Sequence, residues 1–97
     1  MYASIRRYDV KPGAMAEITR QVNEGFVSII SKAPGFLAYY LVDAGNDTGA
    51  TVSVFQNQAG AEESNRMAAA WVRQHIASLV AGPPEITAGE VVAHKTA

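Results

Sequence analysis

Trp71 and His75 stand four residues apart in a stretch of helical periodicity, which makes them neighbours on one helical face. An indole can stack on a flat ligand, and an imidazole can take or give a proton near neutrality. Ser64, Ala68, Trp71 and His75 form one continuous line, with Asn65 beside it, on an otherwise apolar sector. Buried polar groups need partners, so this line favours a pocket over a solid core. The same letters also fit a packed tryptophan beside a histidine satisfied by a carbonyl or water. Ser64 and His75 are no nucleophile-base pair: eleven residues of helix rise ~16 Å, and a base must sit about 3 Å from its proton. On the first strand, Arg6 and Arg7 are adjacent and so point to opposite sheet faces. One is expected toward the helices, where it can hold an anion or enolate. Tyr39 and Tyr40 divide between faces in the same way. The catalytic candidates are His75 as base and Arg6 as oxyanion binder. The ligand-binding candidates are Trp71, Asn65 and Tyr40. Trp71, His75, Asn65 and Arg6 are expected to line one cavity of roughly 300 Å³ or more.

Other chemistries have no residues to carry them. There is no cysteine, hence no thiolate nucleophile, disulfide or zinc-ribbon spacing. The second histidine, His94, lies far from His75, and no carboxylate-histidine cluster has metal-ligand spacing. Gly35, Gly45, Gly49 and Gly60 do not form a phosphate loop. The segment Asp43–Gly49 lacks the spaced carboxylates and closing glutamate of a calcium loop and reads as a hairpin connection. No metal or cofactor is expected.

These candidates are positioned by six elements. Alternation from Tyr2 to Val10 predicts a strand, and the period from Gly13 to Lys32 predicts a helix. β-rich runs follow at Phe36–Asp43 and Ala50–Asn57, then a second helix at Gly60–Val80 and a last strand at Ile86–His94. On the first helix, Met15, Ile18, Val22, Phe26 and Ile29 fall on one stripe. On the second, Ala61, Ala68, Val72, Ile76 and Leu79 define the buried centre. Gly25 beside the first stripe costs about 1 kcal/mol against alanine and marks close approach to a neighbour or space for a ligand. The order strand-helix-strand-strand-helix-strand has one common packing solution. It is a ferredoxin-like α+β fold, a four-stranded antiparallel sheet with both helices on one face.

Ninety-seven residues make one domain, 1–97. Hydrophobic residues are 48% of the chain, high for a lone domain of this size. Strands two and three are apolar on both faces, and helices can cover only one. A second copy of the chain is the expected cover, giving a homodimer. The net charge of −1 and the lack of a basic run leave no nucleic-acid footprint. No stretch approaches the ~20 apolar residues of a membrane span. The segment Met1–Arg7 carries charges where a secretion signal needs its apolar core, so a cytoplasmic protein is expected.

Val10-Lys11-Pro12-Gly13 before the first helix resembles the corresponding turn of antibiotic-biosynthesis-monooxygenase-like domains. Pro34-Gly35-Phe36-Leu37 before strand two resembles their second landmark. Val52-Ser53-Val54-Phe55, a short connection and a helix opening with Ala61-Glu62-Glu63-Ser64 complete the pattern over about the whole chain. The resemblance implies a ferredoxin-like subunit that dimerises into an α/β barrel. Members include cofactor-free oxygenases of phenolic or anthrone-type substrates, quinol oxygenases and haem-degrading enzymes. The haem-degrading branch has an asparagine on strand one and a ligating histidine well over two turns beyond a helix-two tryptophan. Here strand one has Arg6 and Arg7, His75 follows Trp71 by one turn, and Ala81 stands ten residues after Trp71. Those departures speak against haem ligation. The resemblance implies a cofactor-independent monooxygenase acting on a phenolic, quinol or anthrone-type aromatic. The alternative is a non-catalytic dimer of the same fold that binds a small ligand or serves as a scaffold.

Overall fold

A computed structural model describes residues 1–97. Strand β1 (Tyr2–Asp9) runs into a turn at Lys11–Gly13, where Gly13 takes a φ of +76°. Helix α1 (Met15–Gln21) continues through a π-helical segment (Val22–Phe26) into α2 (Val27–Ile30). Strand β2 (Phe36–Gly45) and strand β3 (Thr48–Phe55) form a hairpin. Its turn residues Asn46 and Asp47 have φ of 52° and 56°, the pair of left-handed conformations that matches the twist of the flanking strands. The expected seven-residue connection is therefore a two-residue turn. Helix α3 (Gln58–His75) starts at Asn57, whose side chain accepts from the Gly60 amide at 2.9 Å. That bond satisfies one of the amides a helix start leaves without a partner. Strand β4 (Glu85–Glu90) closes the sheet.

The sheet order is β2-β3-β1-β4, all neighbours antiparallel, as a ferredoxin-like fold requires. Strands β1 and β3 are central. Residues Ser4, Arg6, Thr51, Ser53 and Phe55 are buried on the face toward the helices. The other face presents Ile5, Tyr40 and Val42. Ile5 is 43% exposed and Tyr40 59%.

Two departures from the expected elements have physical causes. Met15, Ile18, Val22 and Phe26 are buried as the stripe predicts, but Ile30 is buried in place of Ile29, which is 45% exposed. The π segment bonds i to i+5 and carries more residues per turn than an α-helix. It retards the stripe by about one residue, so the next inward position falls at 30. Helix α3 ends at His75, five positions before the expected Val80. The chain there turns back onto the end of β1. The Lys11 amide donates to the Leu79 carbonyl and the Ala81 amide to the Asp9 carbonyl, each at 2.8 Å, and Val10 bridges Val80. These backbone groups are not free to continue the helix.

Candidate functional site

Arg6 is the largest side chain that is fully buried, at 1% exposure. The register explains its surroundings. Arg6 pairs with Thr51 on β3 and with Ile86 on β4, and Ser4 pairs with Ser53. Paired residues share a face, so a patch of hydroxyls surrounds the guanidinium under α3. Arg6 Nε donates to Thr51 Oγ1 at 3.1 Å and Nη2 to Ser53 Oγ at 3.0 Å. Nη1 donates to Asn65 Oδ1 at 2.6 Å and to the Ser64 carbonyl at 3.4 Å. A guanidinium has five N–H donors, and one is left over. Every acceptor is neutral, and no carboxylate pairs with Arg6. Removing an unpaired ion from water costs several kcal/mol. Burial accordingly lowers the Arg6 pKa from its ordinary value, an effect opposed by Tyr8 and Tyr39. The same burial raises the Tyr8 pKa and pushes Tyr39 to about 12, while the positive charge of Arg6 pulls both back.

Asn65 is held by this centre. Its Oδ1 also accepts from Ser4 Oγ at 2.7 Å. With the oxygen fixed by two donors, the Nδ2 group and its two protons point elsewhere and make no bond within the chain. Ser64 is fully buried, and its hydroxyl donates to the Ala61 carbonyl at 2.6 Å, so it is spent within its own helix.

Two spaces meet at Arg6. The first, about 40 Å³, lies between helices and sheet among Phe26, Tyr39, Trp71 and apolar neighbours. Phe26 stands 5.5 Å from Tyr39 edge-on and 5.4 Å from Trp71. The Trp71 indole packs on Gly25, whose missing Cβ would sit 3.5 Å from Nε1. The close approach expected at Gly25 is thus to Trp71. The second space is a cleft of about 250 Å³. Arg6 and Tyr8 on β1 and Ile86 on β4 form one wall. Asn65, Ala69 and Arg73 on α3 form the other, and Gly82-Pro83-Pro84 closes the end.

The structure therefore divides the expected single cavity. Arg6 and Asn65 share the cleft, and Arg6 and Trp71 share the smaller space. His75 lines neither. It is the last residue of α3, one turn beyond Trp71, where the buried part of the helix face ends, and it is exposed beside the indole with ring centroids 5.1 Å apart. The assignment of His75 as a base facing the ligand is corrected on this geometry. Tyr40 is corrected likewise. It pairs with Val52 on the outer face, and Tyr39, paired with Ser53, is the tyrosine toward the helices.

The antibiotic biosynthesis monooxygenase family model matches residues 1–71. The chain belongs to that family. Its solved relatives share the fold over nearly their whole length. A protein of unknown function from Nitrosomonas europaea, NE2512, is 24% identical with a TM-score of 0.83, over 99% of this chain and 93% of that one. The ActVA-Orf6 monooxygenase of Streptomyces coelicolor, solved with nanaomycin D, is 16% identical with a TM-score of 0.75, over 99% and 91%. A point mutant of MhuD, solved with two manganese protoporphyrin IX per active site, is 22% identical with a TM-score of 0.76, over 100% of both chains. Among curated proteins none matches. At these identities the structural likeness shows the fold.

Within the antibiotic biosynthesis monooxygenase family, porphyrin binding can be tested on this chain's residues. The one histidine near Trp71 faces outward, Arg6 lies across the floor, and the space beside Trp71 is about 40 Å³. These residues do not fit a ligated haem. No helix is long and apolar enough to cross a membrane. Sequence reasoning missed Thr51, Ser53, Ser4, Tyr8 and Arg73. The signal for the first three was present. Ser4 and Arg6 alternate on the first strand, and Thr51 and Ser53 alternate on the third, inside a run otherwise read as apolar on both faces.

Proposed function

We propose that this chain is a cofactor-independent monooxygenase that ionises a small phenolic, quinol or anthrone-type aromatic and lets the resulting anion reduce oxygen. One observation carries the reading: a buried guanidinium with only neutral acceptors, one unused N–H, and the free Asn65 amide beside it. A fixed cation in a poorly solvated site favours an anionic partner. The substrate hydroxyl would lose its proton to water in the open cleft, and the oxyanion would sit against Arg6 and Asn65 Nδ2. No side-chain base is required. The electron-rich anion passes an electron to dioxygen, and the radical pair combines at carbon. Loss of water from the peroxide leaves a carbonyl, so a CH₂ and O₂ become C=O and H₂O. In many enzymes, preorganised donors of this kind contribute more to the rate than any other single effect.

The reading includes a homodimer in the cytoplasm, with the apolar outer sheet face covered by a second copy. Oxygen uptake with a panel of hydroquinones and anthrones tests the activity. Arg6→Gln should lower kcat by about 10²–10³, the usual effect of removing one oxyanion donor. His75→Ala should leave uptake unchanged. Unaltered uptake in a folded Arg6→Gln protein would remove Arg6 from the reaction. The second reading, a non-catalytic binding dimer, is favoured by the small size of the space beside Trp71. Absence of uptake across the panel would select it.

A further inference from the structure

The arginines of this protein divide by where they lie. Arg7, Arg20 and Arg66 are exposed, and each lies within salt-bridge distance of an aspartate or glutamate. Arg6 and Arg73 have no acidic partner, and both line the cleft. Sequence periodicity places Arg73 on the outer side of α3, away from the core. The cleft gives that position a use. Asn65, Ala69 and Arg73 are spaced by four and form one line along the helix. Asn65 stands beside the buried guanidinium at the inner end, and Arg73 is exposed farther along. Eight residues of helix separate them by ~12 Å. That is about the span of one aromatic ring with an oxygen group at each end and a hydrogen bond beyond each. Ala69 between them is small and leaves the wall flat. Val72, Val80 and Ile86 supply apolar surface for a ring. The volume of about 250 Å³ falls just below both the usual range for ligand sites and the size expected from the sequence, and it suits a single ring.

We infer that Arg73 recognises a carboxylate at the mouth of this cleft, so that the ligand class is a hydroxylated aromatic acid. The hydroxyl lies inward toward Arg6 and Asn65, and the carboxylate lies outward on Arg73. Arginine suits this role because its planar fork can donate two parallel hydrogen bonds to a carboxylate. The carboxylate assignment stands on the cleft and the division of the arginines. The statement that such an acid is also turned over rests on the oxygenase reading.

Calorimetric titration of the full chain with 4-hydroxybenzoate, 4-hydroxybenzamide and inorganic phosphate separates these claims. The acid should bind about tenfold or more tighter than the amide, the difference expected for one charge-assisted contact. Arg73→Gln should abolish that preference while leaving amide affinity and thermal midpoint unchanged, and Arg73→Lys should restore part of it. Equal binding of acid and amide would overturn the inference. So would binding of neither, phosphate binding as tight as the acid, or a preference that survives Arg73→Gln. Oxygen uptake is measured separately. Tight, Arg73-dependent binding of the acid without uptake would uphold the carboxylate site and count against the oxygenase reading.

Discussion

Tyr39 gives a view of the electrostatics around Arg6 that needs no ligand. Burial pushes its pKa from an ordinary 10.0 to about 12, and Tyr8 is shifted the same way. The folded state therefore holds the phenol proton where the unfolded chain has released it. Stability from this source is fully present below about pH 10 and is lost as pH rises toward 12. A shift of this size corresponds to about 2–3 kcal/mol. Denaturant melts should show stability declining over that window, and Tyr39→Phe should flatten the decline. A profile that is level from pH 9 to 12 in the wild type would contradict the burial assigned to both phenols. At the same scale, the polarity of the site comes from neutral groups. Thr51, Ser53, Ser4 and Asn65 solvate Arg6 and leave its charge uncancelled.

The register of the first helix is decided by its π segment, and this can be measured. Ile30 is fully buried, while Ile29 is 45% exposed. Ile30→Ala should cost about 2–5 kcal/mol, the range for truncating a buried isoleucine. Ile29→Ala should cost under about 1 kcal/mol, as surface changes do. Equal losses in chemical denaturation would mean that the helix is regular and the stripe runs through 29. The element order was legible in the sequence because each hydrophobic period changes sharply at Pro12-Gly13, Pro34-Gly35 and Asn57. The phase within the helices was not. A π turn has no compositional mark that a local period reveals. The end of α3 was hidden because it is set by backbone pairing of residues 79–81 with 9–11, far away in sequence. The same limit explains the site. Asn65 bonds Arg6 and Trp71 lines a separate space with it, but which of Arg6/Arg7 and Tyr39/Tyr40 faces inward depends on strand register. His75 was misplaced because α3 ends there and not at Val80, so the buried line through Ser64, Ala68 and Trp71 stops one turn short of it.

For the molecule as a whole, the sheet has a polar patch beneath its helices and an apolar outer face. Ile5, Tyr40, Val42 and Val52 lie on a surface that no element of this chain covers. Such patches mark association sites when they exceed a few hundred Å². Light scattering at micromolar concentration should give twice the chain mass of 10.3 kDa. Paired lysine substitutions at Tyr40 and Val52 should yield a folded monomer, and a wild-type monomer would remove the second copy from the account. The central claim is that an unpaired, buried Arg6 makes the cleft bind aromatic hydroxyls as anions. Its most direct test is the ionisation of a bound chromophore. A nitrophenol titrated by absorbance, free and bound, should show a pKa lowered on binding by about 1–3, as expected for an opposite charge at close range. Arg6→Gln should erase that shift. A bound nitrophenol whose pKa is unchanged or raised would contradict the account.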